Sequence, residues 1–249
     1  MKGPNDLRRL IVWDLETSGL DADYGFMLCA SWKAVKVETS IGCVCHGDFR
    51  VHTISIRDDE KRYARSRTDD RYVAKAISKV LMTADIHVTY NGKRFDWKYV
   101  QTRRFIHGWD LLPRIPHVDL LYTAKSVFRS RSKSLKHIST LDRTATVHKS
   151  PVDGPTWMEA VAGSARALRY VEKHCRADVL VLEHEYMRLR PAVWQHPRLN
   201  SNVGACRYCG SLKVQRRGYE VTALRNVKQR VKCQSCGSWD SLVGTRSKP

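Results

Sequence analysis

Apolar and polar positions along this chain follow two periods, one of strands and one of helices. Leu10-Ile11-Val12-Trp13 is a short apolar run that passes into Asp14-Leu15-Glu16-Thr17 and ends at Ser18-Gly19, the pattern of a buried strand with a turn after it. Phe26 to Val37 and Phe49 to Ile56 read as two further strands, the second alternating through Val51, Thr53 and Ser55, with Gly42 and Gly47 punctuating the region between. Val73, Ile77, Val80 and Leu81 recur at helical spacing behind Thr68-Asp69-Asp70, where Thr68 or Asp69 is the expected N-cap. Ile86 to Tyr90 is a short strand closed by Asn91-Gly92, and a helix from about Phe95 to Ile106 follows, stopped by Gly108. His117 to Leu120 is a further short apolar piece. Thr156 to Ala162 and Ala165 to Arg188 carry helical patterns, the second one long, before Pro191 and Pro197 mark a linker.

Three antiparallel strands, a helix, a strand and then more helices predict an α/β fold, a mixed sheet flanked by helices. The chain of 249 residues has room for one sizeable domain and a small module, and its 42% hydrophobic content is ordinary for a globular core. Composition changes beyond about residue 200, so the expected division is one domain over 1–195 and a second unit over 200–249.

Charge is the outlier. Lys and Arg total 44 against 25 acids, a formal net charge of +19. An excess that large favours a polyanionic partner, nucleic acid first, over mere solubility. No stretch approaches the roughly 20 apolar residues that cross a bilayer. The start, Met1-Lys2-Gly3-Pro4-Asn5-Asp6, runs into the first strand without a signal-peptide pattern, so a cytoplasmic protein with no membrane partner is expected.

Within this basic chain a few acids sit in apolar contexts. Asp14 and Glu16 are two apart on a predicted strand and so share a face where it leaves the core. Carboxylates forced that close repel unless a cation lies between them, and Mg²⁺ or Mn²⁺ suits an oxygen-only pair. Asp96, at the start of the helix after Asn91-Gly92-Lys93-Arg94-Phe95, either serves a site or complements the helix dipole. His174 and Asp178 lie four apart on one face of the long helix, as site residues or as a surface pair.

Asp14-Leu15-Glu16-Thr17, Asn91 through Phe95-Asp96, and His174 through Asp178 resemble, in order and spacing, the three motifs of DEDD-type 3′–5′ exonucleases of the ribonuclease H-like fold. The likeness covers roughly residues 8–190 and is closest to a predicted-exonuclease branch, in which segments like Ser134-Leu135-Lys136-His137-Ile138 and Asp153-Gly154-Pro155-Thr156-Trp157 recur. The resemblance implies that Asp14, Glu16 and Asp178 ligate two catalytic Mg²⁺ or Mn²⁺ ions, with Asp96 completing the set. One subfamily has Tyr four residues before the last Asp and another has His five before it. Here His174 stands four before, with Tyr170 eight before. His174 is then either the group that orients the attacking water or a packed neighbour of Asp178. By the same resemblance Thr17 contacts the terminal nucleotide, and Asn91 and Phe95 position the strand. Asp119, in His117-Val118-Asp119-Leu120-Leu121, is read as structural or supporting. The basic, Ser-rich stretch from Lys125 to Lys136, with Arg129, Arg131, Lys133 and Lys136, either grips phosphates or is a solvated loop.

Cys206-Arg207-Tyr208-Cys209 and Cys233-Gln234-Ser235-Cys236 form two CxxC pairs with 23 residues between them, each followed by Gly. Four thiolates at that spacing select one structural Zn²⁺, with Val214 to Val221 and Val227 to Val231 as the strands between the knuckles. The unit resembles the zinc ribbons of nucleic-acid enzymes and transposases. Its cations, with Tyr208, Tyr219 and Trp239 as stacking surfaces, suit single-stranded nucleic acid. Docking of a protein, such as a replication or repair partner, is the competing role. Of the remaining cysteines, Cys29, Cys43, Cys45 and Cys175, the run Cys43-Val44-Cys45-His46 is read as non-ligating and Cys175 as a small buried hydrophobe.

The expectation is therefore a metal-dependent 3′–5′ exonuclease acting on DNA, single-stranded or at 3′ ends, with a zinc ribbon aiding binding. The alternatives are an RNA-directed or structure-specific nuclease on the same site, a nucleic-acid-binding protein that has lost catalysis, and a transposase.

Overall fold

A computed structural model of the chain describes residues 9–35, 38–39, 42–43, 50–147, 151–200 and 202–243. The first strand, β1 (Leu10–Thr17), pairs antiparallel with β2 (Met27–Ala34). Two short strands, β3 (Glu38–Thr39) and β4 (Gly42–Cys43), form a separate ladder, and β5 (His52–Ser55) pairs antiparallel with β2. After α1 (Glu60–Arg65) and α2 (Arg71–Met82), β6 (Ile86–Thr89) lies parallel to β1 on its other side. Then come α3 (Asp96–Ile106) and β7 (His117–Asp119), which pairs parallel with β6. The sheet order is β5-β2-β1-β6-β7, the mixed α/β architecture expected from the element order. Helices pack against this sheet.

The helices α4 (Leu120–Val127), α5 (Leu135–Leu141), α6 (Gly154–Val161) and α7 (Ala165–Leu189) follow. None of the helices described is long and apolar enough to cross a membrane. Strand alternation splits β1 between two core clusters. Ile11, Trp13 and Leu15 join Val73, Ile77 and Leu81 of α2 and Tyr99 and Val100 of α3. Leu10 and Val12 join Val88, Val118, and Val179, Leu182 and Tyr186 of α7. Burying each such side chain contributes about 1.5–3 kcal/mol.

A buried ion cluster ties α2 to its surroundings, and it corrects the N-cap expected at Thr68 or Asp69. The cap position is Asp70, whose side chain makes no capping bond. Its fully buried carboxylate instead accepts from Met27 N at 2.9 Å, from Arg103 Nε and Nη2 at 2.9 and 2.8 Å, and pairs with His107 Nε2 at 2.7 Å. Asp69 serves Arg62 and Arg71. Arg103 also donates to Ala22 O, so the cluster clamps the loop between β1 and β2.

Beyond α7, residues 190–192 form one 3₁₀ turn, and β8 (Val214–Val221), β9 (Val227–Cys233) and β10 (Trp239–Val243) make a three-stranded sheet in the order β10-β9-β8. The first two match the strands expected between the cysteine pairs; β10 has too short an apolar pattern to be seen in the sequence. The linker residue His196 joins the two parts: its Nε2 lies 2.9 Å from the Tyr186 hydroxyl and its ring 5.9 Å from that of Tyr208. Burial holds the His196 imidazole neutral, its pKa down to about 4.

Candidate active site

The strand that supplies the first two acids changes character along one face. Leu10 and Val12 meet Val179, Leu182 and Tyr186, whereas Asp14 and Glu16, next on that face, meet Cys175 and His174. Helix α7 thus runs against the direction of β1, and its buried stripe turns polar where the strand does. His174 Nε2 is 3.8 Å from Glu16 Oε1 and 3.7 Å from Asp178 Oδ2, with His174 and Asp178 both buried. Cys175 Sγ is 3.6 Å from the Asp14 carbonyl oxygen and 3.9 Å from Asp14 Oδ2.

Two sets of mutually close donor atoms result, each within 4.8 Å: Asp14, Glu16 and Cys175, and Glu16, His174 and Asp178. Glu16 belongs to both. Three carboxylates joined through one shared member form an oxygen-rich donor set that fits hard divalent cations.

Asp96 begins α3 just beyond the C-terminal end of β6, which is parallel to β1, so it lies toward the same sheet edge. It is 5% exposed and belongs to neither of the two close sets. The turn that delivers it is built with care. Asn91 has φ 67°, and the N–H groups of Asn91 and Lys93 donate to the Asp119 carboxylate at 2.7 and 3.0 Å. Asp119 also accepts from Leu121 N at 3.1 Å, capping α4. A Cβ at Gly92 would come within 2.4 Å of the Thr89 hydroxyl oxygen, so only glycine fits between β6 and α3.

The remaining candidates are spread around this edge. Thr17 is buried, and its hydroxyl donates to Gly19 O at 2.8 Å, shaping the turn after Glu16. Phe95 is the residue before α3 and packs against Tyr99 with ring centroids 5.6 Å apart. Arg129, Arg131 and Lys136 are exposed, while Lys133 Nζ donates to Ser130 O. The Tyr90 hydroxyl donates to the Lys133 carbonyl, which ties the basic loop to the end of β6. Tyr170 is not brought to the site; its hydroxyl donates to Pro151 O.

Two neighbours escaped the sequence reading. Cys175, read as a small hydrophobe, is fully buried but touches Asp14, and burial pushes its thiol well above the ordinary range. Cys29 stands opposite Glu16 in the β1–β2 register. The clue was position: Cys175 precedes Asp178 by three, one helical turn. On the face of the sheet that carries Trp13, the rings of His87 and His117 meet edge to face at 5.6 Å with Trp97 nearby. Burial lowers their pKa values to about 4 and about 3, so both rings are neutral.

At the C-terminal unit all four cysteine sulfurs lie within 4.8 Å of one another. Cys206 and Cys236 are 3.7 Å apart and Cys209 and Cys233 3.6 Å. Sulfurs about 2.3 Å from a tetrahedral Zn²⁺ are separated by about 3.8 Å, so the cluster is compatible with a zinc ribbon. Gly210 and Gly237, at φ 72° and 74°, close the two knuckles by donating to Cys206 O and Cys233 O. Of the expected stacking residues, Tyr219 is exposed, Tyr208 is turned to His196, and Arg230 lies 4.8 Å over the Trp239 ring. The Cys43-Val44-Cys45-His46 segment falls outside the side chains described.

A mixed sheet with carboxylates at the end of its central strand and on the helix across it defines a nuclease-type domain. The chain belongs to the RNase_H superfamily, whose sequence profile matches residues 11–190. No curated protein matches it. Cleavage of nucleic acid is the general function this membership supports, nucleic acid is the partner it implies, and divalent metals are the cofactors such nucleases generally use.

Proposed function

We propose that this protein is a metal-dependent 3′–5′ exonuclease that hydrolyses phosphodiester bonds of DNA, single-stranded at the end being cut. The observation that carries the reading is the double membership of Glu16, which links Asp14 on its own strand to His174 and Asp178 on α7. Asp14, Glu16 and Asp178 would hold two Mg²⁺ or Mn²⁺ ions, with Asp96 completing the set through water. Bound there, such a pair activates the attacking water and stabilises the leaving oxygen.

The chain's own groups do the rest. His174 Nε2, facing Glu16 and Asp178, accepts the proton of the attacking water, and the two carboxylates stabilise the imidazolium that forms. Thr17 and the turn it shapes receive the terminal nucleotide. Asn91 and Phe95 set the strand's approach, and Arg129, Arg131, Lys133 and Lys136 neutralise phosphates further along. The Cys206, Cys209, Cys233 and Cys236 unit, carrying one Zn²⁺, adds a second grip on the nucleic acid. Cytoplasmic location fits this role.

Single-stranded DNA labelled at its 5′ end tests the proposal, with Mg²⁺ or Mn²⁺ and with Asp14→Ala as control. A ladder that shortens from the 3′ end, absent in the variant, supports it. Early release of the label as a mononucleotide reverses the polarity, cleavage of a parallel RNA alone changes the substrate, and binding without cleavage of either removes the enzyme reading.

A further inference from the structure

A cleft lies about two turns along α7 from the carboxylate site. It encloses about 550 Å³ between α4, α5 and α7. Phe128, Ile138, Leu141 and Leu189 make its walls, Arg143 and Arg188 stand at it, and Glu185 lies within its lining. Glu185 is 2% exposed, and its Oε1 is buried with no hydrogen-bond partner among the described residues. A buried acceptor left unmade costs about 1–3 kcal/mol, more if charged, so a carboxylate of this kind facing a cleft calls for a donor from outside.

The setting narrows what that donor is. Asp178 and Glu185 are seven residues apart on α7 and both face inward, about 10 Å along the helix axis. That is roughly three stacked bases at about 3.4 Å each. Phe128 lies within the basic stretch, and Tyr90, which holds that stretch at Lys133, is close enough to Glu185 for its phenol to feel the carboxylate's charge. The cations of that stretch thus adjoin an apolar slot with an acceptor inside, since Val127 and Phe128 on one side of them and Ile138 on the other line it. A metal ion fits less well. Glu185, Asp142 and His184 are mutually close, but Asp142 Oδ2 is already engaged by His184 Nε2 at 3.0 Å and Arg188 Nε at 3.3 Å.

We infer that this cleft is a nucleobase subsite for the substrate strand, in which Glu185 reads the amino edge of a base and favours guanine. Guanine presents its ring N1–H and its 2-amino group side by side, a pair that one carboxylate accepts together. Thymine has no amino group and offers only one donor. Apolar walls suit the faces of a flat base, and Arg143 and Arg188 suit its phosphate. The inference rests on nucleic acid being the substrate of the carboxylate site. It adds to that reading a preference for one base a few nucleotides inside the cut end.

The test is binding without turnover. Full-length Asp14→Ala protein is titrated with fluorescent oligothymidylates that carry a single deoxyguanosine at successive distances from the 3′ end. One register should bind about fivefold or more tightly than all-thymidine, the range of one bidentate base contact. Deoxyinosine at that register, which lacks the 2-amino group, should return most of the gain, and Glu185→Gln should remove it at unchanged melting temperature. Equal affinity at every register overturns the subsite, as does a guanine preference that survives in folded Glu185→Gln. Should that variant fail to fold, the guanosine–inosine comparison with Glu185 intact decides alone. A register effect in a protein that never cleaves would keep the subsite and reject the exonuclease. Cleavage without a register effect would do the reverse.

Discussion

The Nε2 atom of His174 sits 3.8 Å from Oε1 of Glu16, so an imidazole on α7 faces a carboxylate on β1 across the junction of sheet and helix. With Asp178 Oδ2 at 3.7 Å on its other side, the ring is held between two acids. On the proposed role of this ring as proton acceptor, removing it lowers turnover by about 10²–10⁴. His174→Ala should therefore show that loss in kcat with little change in KM or melting temperature, read in single-turnover assays. A loss of fold with no selective loss of kcat would make His174 a packing residue.

Asp119 should matter for a site it does not enter. Its carboxylate takes three backbone N–H groups, from Asn91, Lys93 and Leu121. Asp119→Ala strands those donors and frees the turn ahead of Asp96. Destabilisation of about 2–4 kcal/mol in urea melts is expected, together with reduced activity.

Asp70→Ala should be among the most damaging single changes far from the carboxylates. It leaves the Arg103 guanidinium buried without its counter-charge, and breaking a buried pair costs about 3–5 kcal/mol. The loop from Ser18 to Phe26 should gain proteolytic sensitivity at the same time.

The neutral buried histidines set an acid limit. His87 has its pKa lowered to about 4 and His117 to about 3, against an ordinary 6.5. The unfolded chain takes up these protons first as pH falls, so stability is full above about pH 6.5 and declines toward pH 4. By these shifts His87 accounts for roughly 3 kcal/mol at most and His117 for roughly 5 kcal/mol at most. Urea midpoints at pH 7 and pH 4.5 should differ accordingly, and less so in His117→Gln.

One Zn²⁺ per chain is the expected content of the purified protein. A strong chelator, or Cys233→Ser, should unfold the C-terminal unit and weaken nucleic-acid binding. Metal analysis and a salt titration of affinity check both effects.

Much of this arrangement is legible along the chain. The apolar run into Asp14 and Glu16 marks a strand leaving the core, and the period of Ala165 to Arg188 marks the helix that packs across it. The cysteine spacing likewise announces the four-sulfur cluster. What sequence does not show is long-range partnership. Local pattern puts the cap at Thr68 or Asp69 and gives Asp70 no role, because its partners Met27, Arg103 and His107 lie 43, 33 and 37 residues away. Cys175 and Glu185 look like ordinary members of a helical stripe until tertiary packing sets one beside Asp14 and the other within a cleft. The short helices α4 and α5, at the two ends of the basic stretch, are capped by the side chains of Asp119 and Ser134.

Glu16 is the residue on which the account turns, since it alone belongs to both donor sets. The most direct measurement compares Mg²⁺- or Mn²⁺-dependent shortening of 5′-labelled single-stranded DNA by wild type and by Glu16→Gln, with melting temperature and zinc content recorded for each. Wild type should give a 3′-end ladder, and a variant that remains folded and zinc-loaded should lose at least about 10³ in rate. Wild-type rates in folded Glu16→Gln would contradict this.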